Sequence, residues 1–216
     1  MVHRLAVLAL PVALLALPGT AGAAADHSLS GTYPLQEAPA VSLQLPVGEI
    51  HVESGTAPEV RVDLTVNCDH WDRSCADRAA AVHLESERNA DHLQVRVAGL
   101  PKSNQRGLHV DGTITVPADR PLAIDMGVGE LHVAGITANL KVSLGVGEVK
   151  ITLPEAAVQR VRLAAGVGET TLRAANHHLE GDRNYLVGSR LAWNEGAGRS
   201  QVAVDVGVGE IDARLE

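Results

Sequence analysis

A five-residue phrase recurs along the chain and constrains everything around it. It reads Pro46-Val47-Gly48-Glu49-Ile50, Gly127-Val128-Gly129-Glu130-Leu131, Gly145-Val146-Gly147-Glu148-Val149, Gly166-Val167-Gly168-Glu169-Thr170 and Gly207-Val208-Gly209-Glu210-Ile211. Glu130, Glu148, Glu169 and Glu210 are spaced by 18, 21 and 41 residues, and Glu49 precedes Glu130 by 81. A period near 20 is the signature of stacked repeats, so a β-solenoid is the expected architecture.

The apolar pattern defines the repeat unit. Alternate residues are apolar before the phrase (Leu140, Val142, Leu144) and after it (Val149, Ile151), as in short strands with one buried face. Across the phrase the inward set changes parity: Leu45 to Ile50, Met126 to Leu131, Leu144 to Val149, Ala165 to Thr170 and Val206 to Ile211 are all steps of five. An uninterrupted strand cannot take an odd step, so Gly-Val-Gly must be a corner or bulge that keeps the same side inward. Leu186 and Leu191 repeat the step, which makes Leu186 to Trp193 a degenerate rung with Arg190 in the glutamate position. Residues 122–216 then read as five rungs stacked in chain order, with Glu130, Glu148, Glu169, Arg190 and Glu210 in file.

The first half is less regular. Val60 to Val66 and Leu108 to Val116 alternate as strands, Asp72 to Ala81 reads as one or two helical turns, and Val82 to Glu85 with Leu93 to Val97 reads as a hairpin. No low-complexity linker interrupts the chain, so residues 26–216 are expected to form one domain. With no Phe, two Trp and two Tyr, its core must be aliphatic, which suits thin repetitive layers.

Residues 1–25 carry a secretory signal peptide: a basic start at His3 and Arg4, an apolar stretch from Leu5 to Leu17, then small residues with Ala-x-Ala sites ending at Ala23 or Ala25. No later segment reaches the roughly 20 apolar residues of a membrane helix. The expected location is periplasmic or extracellular. In that setting the only two cysteines, Cys68 and Cys75, read as a disulfide. A metal site built from those thiolates with Asp69, His70 and Asp72 is the alternative, and it needs a reducing compartment.

These rungs, together with Ile114-Thr115-Val116-Pro117 running into Leu122 to Val133, resemble the bacterial putative-adhesin family of exported β-solenoid domains of unknown function, whose usual rung reads Gly-Ser-Gly-Asp. Here Val replaces Ser and Glu replaces Asp. The resemblance implies a β-solenoid and an adhesin-like role, and it supplies no catalytic residues.

The remaining chemistry is sparse. Eighteen Lys and Arg against 26 Asp and Glu give a net charge of −8, which is unsuited to neutralising phosphates, so nucleic acid is not an expected partner. Gly166 to Thr171 lacks the lysine of a phosphate-binding loop, and neither Gly-x-Ser-x-Gly nor His-Glu-x-x-His occurs. No enzyme activity and no cofactor are expected. The file of Glu130, Glu148, Glu169 and Glu210 would place like charges ~4.8 Å apart. It is read as a solvated polar row, with Ca²⁺ binding as the alternative. His51 and His132 follow their glutamates by two residues; a zinc site would need the pair close in space, and with a separation of 81 residues they are read as surface polar positions. His177 and His178 are read as a solvated loop between rungs. The expected function is a non-enzymatic binding or interaction module of the cell envelope, with an unknown protein or glycan as its ligand. The alternatives are a cation-dependent or carbohydrate-directed β-helix protein, including a lyase-like enzyme, and an accessory of envelope-stress signalling. A weak homodimer through an uncapped C-terminal rung is also expected.

Overall fold

Alternating Val, Leu and Ile set the strands, and the glycines bend them. In a computed structural model, residues 27–68, 75–100, 107–174, 177–184 and 187–216 are described. The signal-peptide segment 1–25, Asp69, His70, Asp72 and Leu186 lie outside them. The strands are β1 (His27–Pro34), β2 (Val41–Gly55), β3 (Glu59–Cys68), β4 (His83–Arg88), β5 (Leu93–Ala98), β6 (Leu108–Pro117), β7 (Leu122–Ala134), β8 (Leu140–Leu153), β9 (Val158–Ala174), β10 (His177–Glu180), β11 (Asp182–Asn184), β12 (Gly188–Trp193) and β13 (Ser200–Leu215). One helix, α1 (Cys75–Ala81), follows the Cys68–Cys75 disulfide, whose Cα atoms are 5.8 Å apart. The fold is all-β.

Every copy of the phrase lies inside one long strand. In β8 the residues Leu140, Val142 and Leu144 are buried before the phrase, and Val149, Ile151 and Leu153 after it, so the inward set does resume five residues later. The second glycine of each copy has φ between +134° and +142°, a region that L side chains rarely adopt. A Cβ on Gly147 would stand 1.8 Å from the Gly129 carbonyl oxygen, so the close approach of neighbouring strands also demands glycine here. The intervening Val128, Val146, Val167 and Val208 remain 45–48% exposed on the bend.

The five phrase-bearing strands form one parallel block in the order β2, β7, β8, β13, β9. This corrects the expected stacking in chain order. β7 and β8 are sequential neighbours, but β13 lies between β8 and β9, so Glu210 stands between Glu148 and Glu169. β2 pairs directly with β7 despite the intervening sequence, and Glu49 heads the file. β12 is not a rung: it runs antiparallel to β9, with Arg190 opposite Ala164. The step of five at Leu186 and Leu191 is therefore coincidental. At this junction Thr170 fills the inward slot that Ile, Leu or Val occupies elsewhere, and its buried hydroxyl bonds Ser189 Oγ at 2.8 Å.

Antiparallel strands flank the block. On one side β6, β3 and β1 follow β2 outward, with β6 pairing only the second half of β2. The first half of β2 pairs with β5, which forms the expected hairpin with β4. On the other side β9 carries β12 and β11 along its first half and β10 along its second. Because β13 is paired on both sides, it offers no free edge, so the open strand edge on which the expected C-terminal dimer rested is already occupied. One continuous aliphatic core joins the block and its flanks. No helix among the described residues is long and apolar enough to cross a membrane.

Candidate functional site

In-register parallel pairing turns equivalent positions on successive strands into straight rows of side chains. Two such rows bear polar chemistry. The first lies before the bend, where Arg96, Gln44, Asp125, Ser143, Asp205, Ala164 and Arg190 stand side by side from β5 to β12. At ~4.8 Å per strand this row spans about 29 Å. These residues line an open groove of about 860 Å³ that crosses the strands at the bend. Its other lining residues include Leu45, Met126, Leu144 and the first glycine of four phrases, so much of the surface is apolar.

The groove is charged in a pattern. Asp125 and Asp205 occupy the middle, on either side of Ser143, and an arginine stands at each end. Arg96 is anchored by the hairpin: its Nε donates to Glu85 Oε2 at 2.8 Å, with a second bond from its Nη2. The other oxygen of Glu85, Oε1, accepts from His83 Nε2 at 2.9 Å. Bonds from Arg96 and then His83 hold the Glu85 carboxyl below the usual range, and the Ala81 carbonyl and Glu85 raise the His83 imidazole.

The second row is the glutamate file beyond the bend, ordered Glu49, Glu130, Glu148, Glu210, Glu169. Two residues further on, three of the five strands present a basic partner on the same face. Glu49 meets His51 at 3.3 Å, Glu130 meets His132 at 3.7 Å and Glu148 meets Lys150 at 3.0 Å. The hydrogen bond to Glu148 raises the Lys150 pKa, with Glu130 and Asp212 adding attraction. Glu49, Glu130 and Glu148 thus have basic side chains two residues along their strands, whereas Asp212 and Thr171 hold those positions after Glu210 and Glu169, and Arg190 lies in the groove. Since Glu210 separates Glu148 from Glu169, the Ca²⁺ set of Glu130, Glu148 and Glu169 is not contiguous.

His51 and His132 are not in distant rungs. They are direct cross-strand neighbours, with ring centroids 4.5 Å apart and planes inclined by 21°. A signal for this was present: only the copies at Glu49 and Glu130 read Glu-Ile-His and Glu-Leu-His, so these two phrases match each other best. His178 lies with His177 on β10 and approaches Glu180 at 3.8 Å.

A family model described as the N-terminal domain of toast_rack, DUF2154, matches residues 33–173. Among solved structures, a putative cell adhesion protein from Clostridium sporogenes ATCC 15579 is similar at TM-score 0.53 and 16% identity, covering 89% of this chain and 100% of that one. That likeness shows a shared fold. A putative adhesin from Bacteroides fragilis NCTC 9343 aligns over 87% of this chain and 97% of that one, at 12% identity and TM-score 0.28. No protein of curated function matches the chain.

Proposed function

The chain belongs to the toast_rack N-terminal-domain family, and from that premise we propose that it is an exported, non-enzymatic, adhesin-like binding module whose groove receives an extended protein segment. The observation that carries this reading is the row from Arg96 to Arg190, a charge pattern set at fixed strand spacing over about 29 Å. An extended peptide rises about 3.3 Å per residue, so eight or nine residues would fill that length. Basic side chains in its middle would meet Asp125 and Asp205, and acidic ones near its ends would meet Arg96 and Arg190.

Two features favour binding over catalysis and a peptide over a glycan. The groove lining contains one hydroxyl, Ser143, and no His or Cys to activate a nucleophile. It also contains no aromatic residue on which a sugar ring could stack. Export through the 1–25 leader and the coiling of successive phrase-bearing strands around one core belong to the same reading.

A charge-patterned peptide library panned against the protein tests it. Enriched sequences should carry central Lys or Arg flanked by Asp or Glu, and Asp125→Lys with Asp205→Lys should reduce their affinity at least about tenfold, more at low salt. Binding of glycans that the double variant leaves intact, with no peptide selected, would overturn it.

A further inference from the structure

The row two residues beyond the glutamate file reads Thr113, His51, His132, Lys150, Asp212 and Thr171 from β6 to β9. Only at the contact between β2 and β7 do two imidazoles face each other. One ligand atom from each of Glu49, His51 and His132 lies within 4.8 Å of the other two, the only such group of three among the described residues. We propose that these residues bind a divalent transition-metal ion of the zinc class, at a site separate from the groove and independent of its role.

The donor set selects the ion. Two ring nitrogens and one carboxylate suit Zn²⁺ or Cu²⁺, whereas Ca²⁺ takes six to eight oxygens. Ligands around a tetrahedral ion with bonds near 2.0–2.1 Å sit about 3.3 Å apart. Glu49 Oε1 and His51 Nε2 are already 3.3 Å apart. Closing the second imidazole onto the ion requires only side-chain rotation, because both histidines are partly exposed, with 42% and 30% of their side-chain surface accessible. The Glu130 carboxylate, 3.7 Å from His132 Nε2, is placed to orient that ring or to supply a fourth ligand.

The backbone beneath the cluster is fixed. The Glu49 amide donates to Asp111 Oδ1 at 3.0 Å, and the other oxygen of Asp111 accepts from Asn67 Nδ2 at 2.9 Å. On the far side Lys150 is held as an ammonium by Glu148, so it cannot ligate and it closes the row. A metal here would clip β2 to β7, tying the first phrase of the chain to the second. Where Glu130 only orients the ring, one coordination position stays open to solvent, available to a donor from a ligand or partner.

The test is titration of the untagged full chain with Zn²⁺ by calorimetry and thermal shift, with Cu²⁺ electron paramagnetic resonance as a second readout. Saturable binding of one ion with a rise in melting temperature is expected, and removing a ligand should cost at least the roughly 10–100-fold that loss of a supporting partner costs. His51→Ala with His132→Ala should abolish binding, Glu49→Gln should weaken it, and His177→Ala with His178→Ala should leave it unchanged. The wild-type copper spectrum should show two nitrogen ligands, a readout that does not depend on any variant folding. Zinc binding that survives the His51, His132 double substitution, a copper spectrum with fewer than two nitrogens, or no binding at all would overturn the proposal.

Discussion

The parallel block and its antiparallel flanks obey different rules. In β2, β7, β8, β13 and β9 each strand is a near copy of the next, so identical residues stack and any misfit is repeated across the file. In β1, β3 and β6 the neighbours differ in sequence, and the sheet is held by alternation and burial alone. Repetition therefore gives uniform, addressable surfaces at the cost of tolerance. The flanks carry none of the phrases, and they need glycine only at isolated points: a Cβ on Gly99 or Gly112 would meet a backbone oxygen at 1.9 or 2.3 Å.

The sharpest way to test that contrast is to add one methyl group on each side. Gly147→Ala forces a Cβ to within 1.8 Å of a neighbouring carbonyl oxygen at φ +139°, and it should cost about 4 kcal/mol or more. Gly31→Ala, in β1 of the flank, meets only the movable Tyr33 side chain, at 2.7 Å, with no positive φ, and should cost no more than about 1 kcal/mol. Urea denaturation of both variants measures the difference. Equal losses would mean that the bend does not require its glycine.

A smaller effect belongs to the flank alone. Replacing Cys68 and Cys75 by Ser opens a loop of sequence separation 7, and the chain-entropy model gives a loss of about 2 kcal/mol. Amide exchange should then quicken at the ends of β3 and β6 while β7 and β8 keep their protection. Uniform acceleration through the block would show that flank and block unfold as one.

The smallest expected effect is electrostatic and confined to the β4–β5 hairpin. Glu85 has its pKa lowered from 4.5, so its contribution is present above that value and is lost as pH falls through the folded-state pKa. His83 has its pKa raised from 6.5, so its contribution is complete below that value and is lost as pH rises through the folded-state pKa. Both act together between about pH 4.5 and 6.5. Hairpin amide protection, as nuclear magnetic resonance exchange rates divided by their intrinsic rates at each pH, should be greatest in that window and should lose the dependence at high salt, since both groups are exposed. A profile flat in pH at low salt would remove the pair as a brace for Arg96.

Much of this architecture can be read from the residues. The step of five at Leu144 and Val149 reports the bend, and the alternation at Val60 to Val66 reports a strand, because both are local consequences of which side is buried. What cannot be read is which copy sits beside which. β13 matches β8 and β9 equally well, residue for residue, so the choice of partner depends on where long connections allow the strands to go. The same degeneracy misplaces Arg190, whose neighbours Leu186 and Leu191 mimic the parity of a rung. The histidine pair shows the converse: His51 and His132 are legible as neighbours only if likeness between copies is weighed above separation along the chain.

β8 and β9 follow one another in the chain yet do not pair, because β13 lies between them. A linear stack can assemble from one end and fray from the other, each unit answering only to its neighbours. Here the gap between two early strands is filled by one made later, so the central core cannot close progressively as the polypeptide emerges. The closing step depends on contacts that are distant in sequence, and such contacts slow folding. The strand acts as a keystone: until it is seated, β8 and β9 each expose an open edge, and once it is seated, neither can leave without breaking the other's support. A block that looks like an array of repeats is thereby committed to folding, and to unfolding, as one unit.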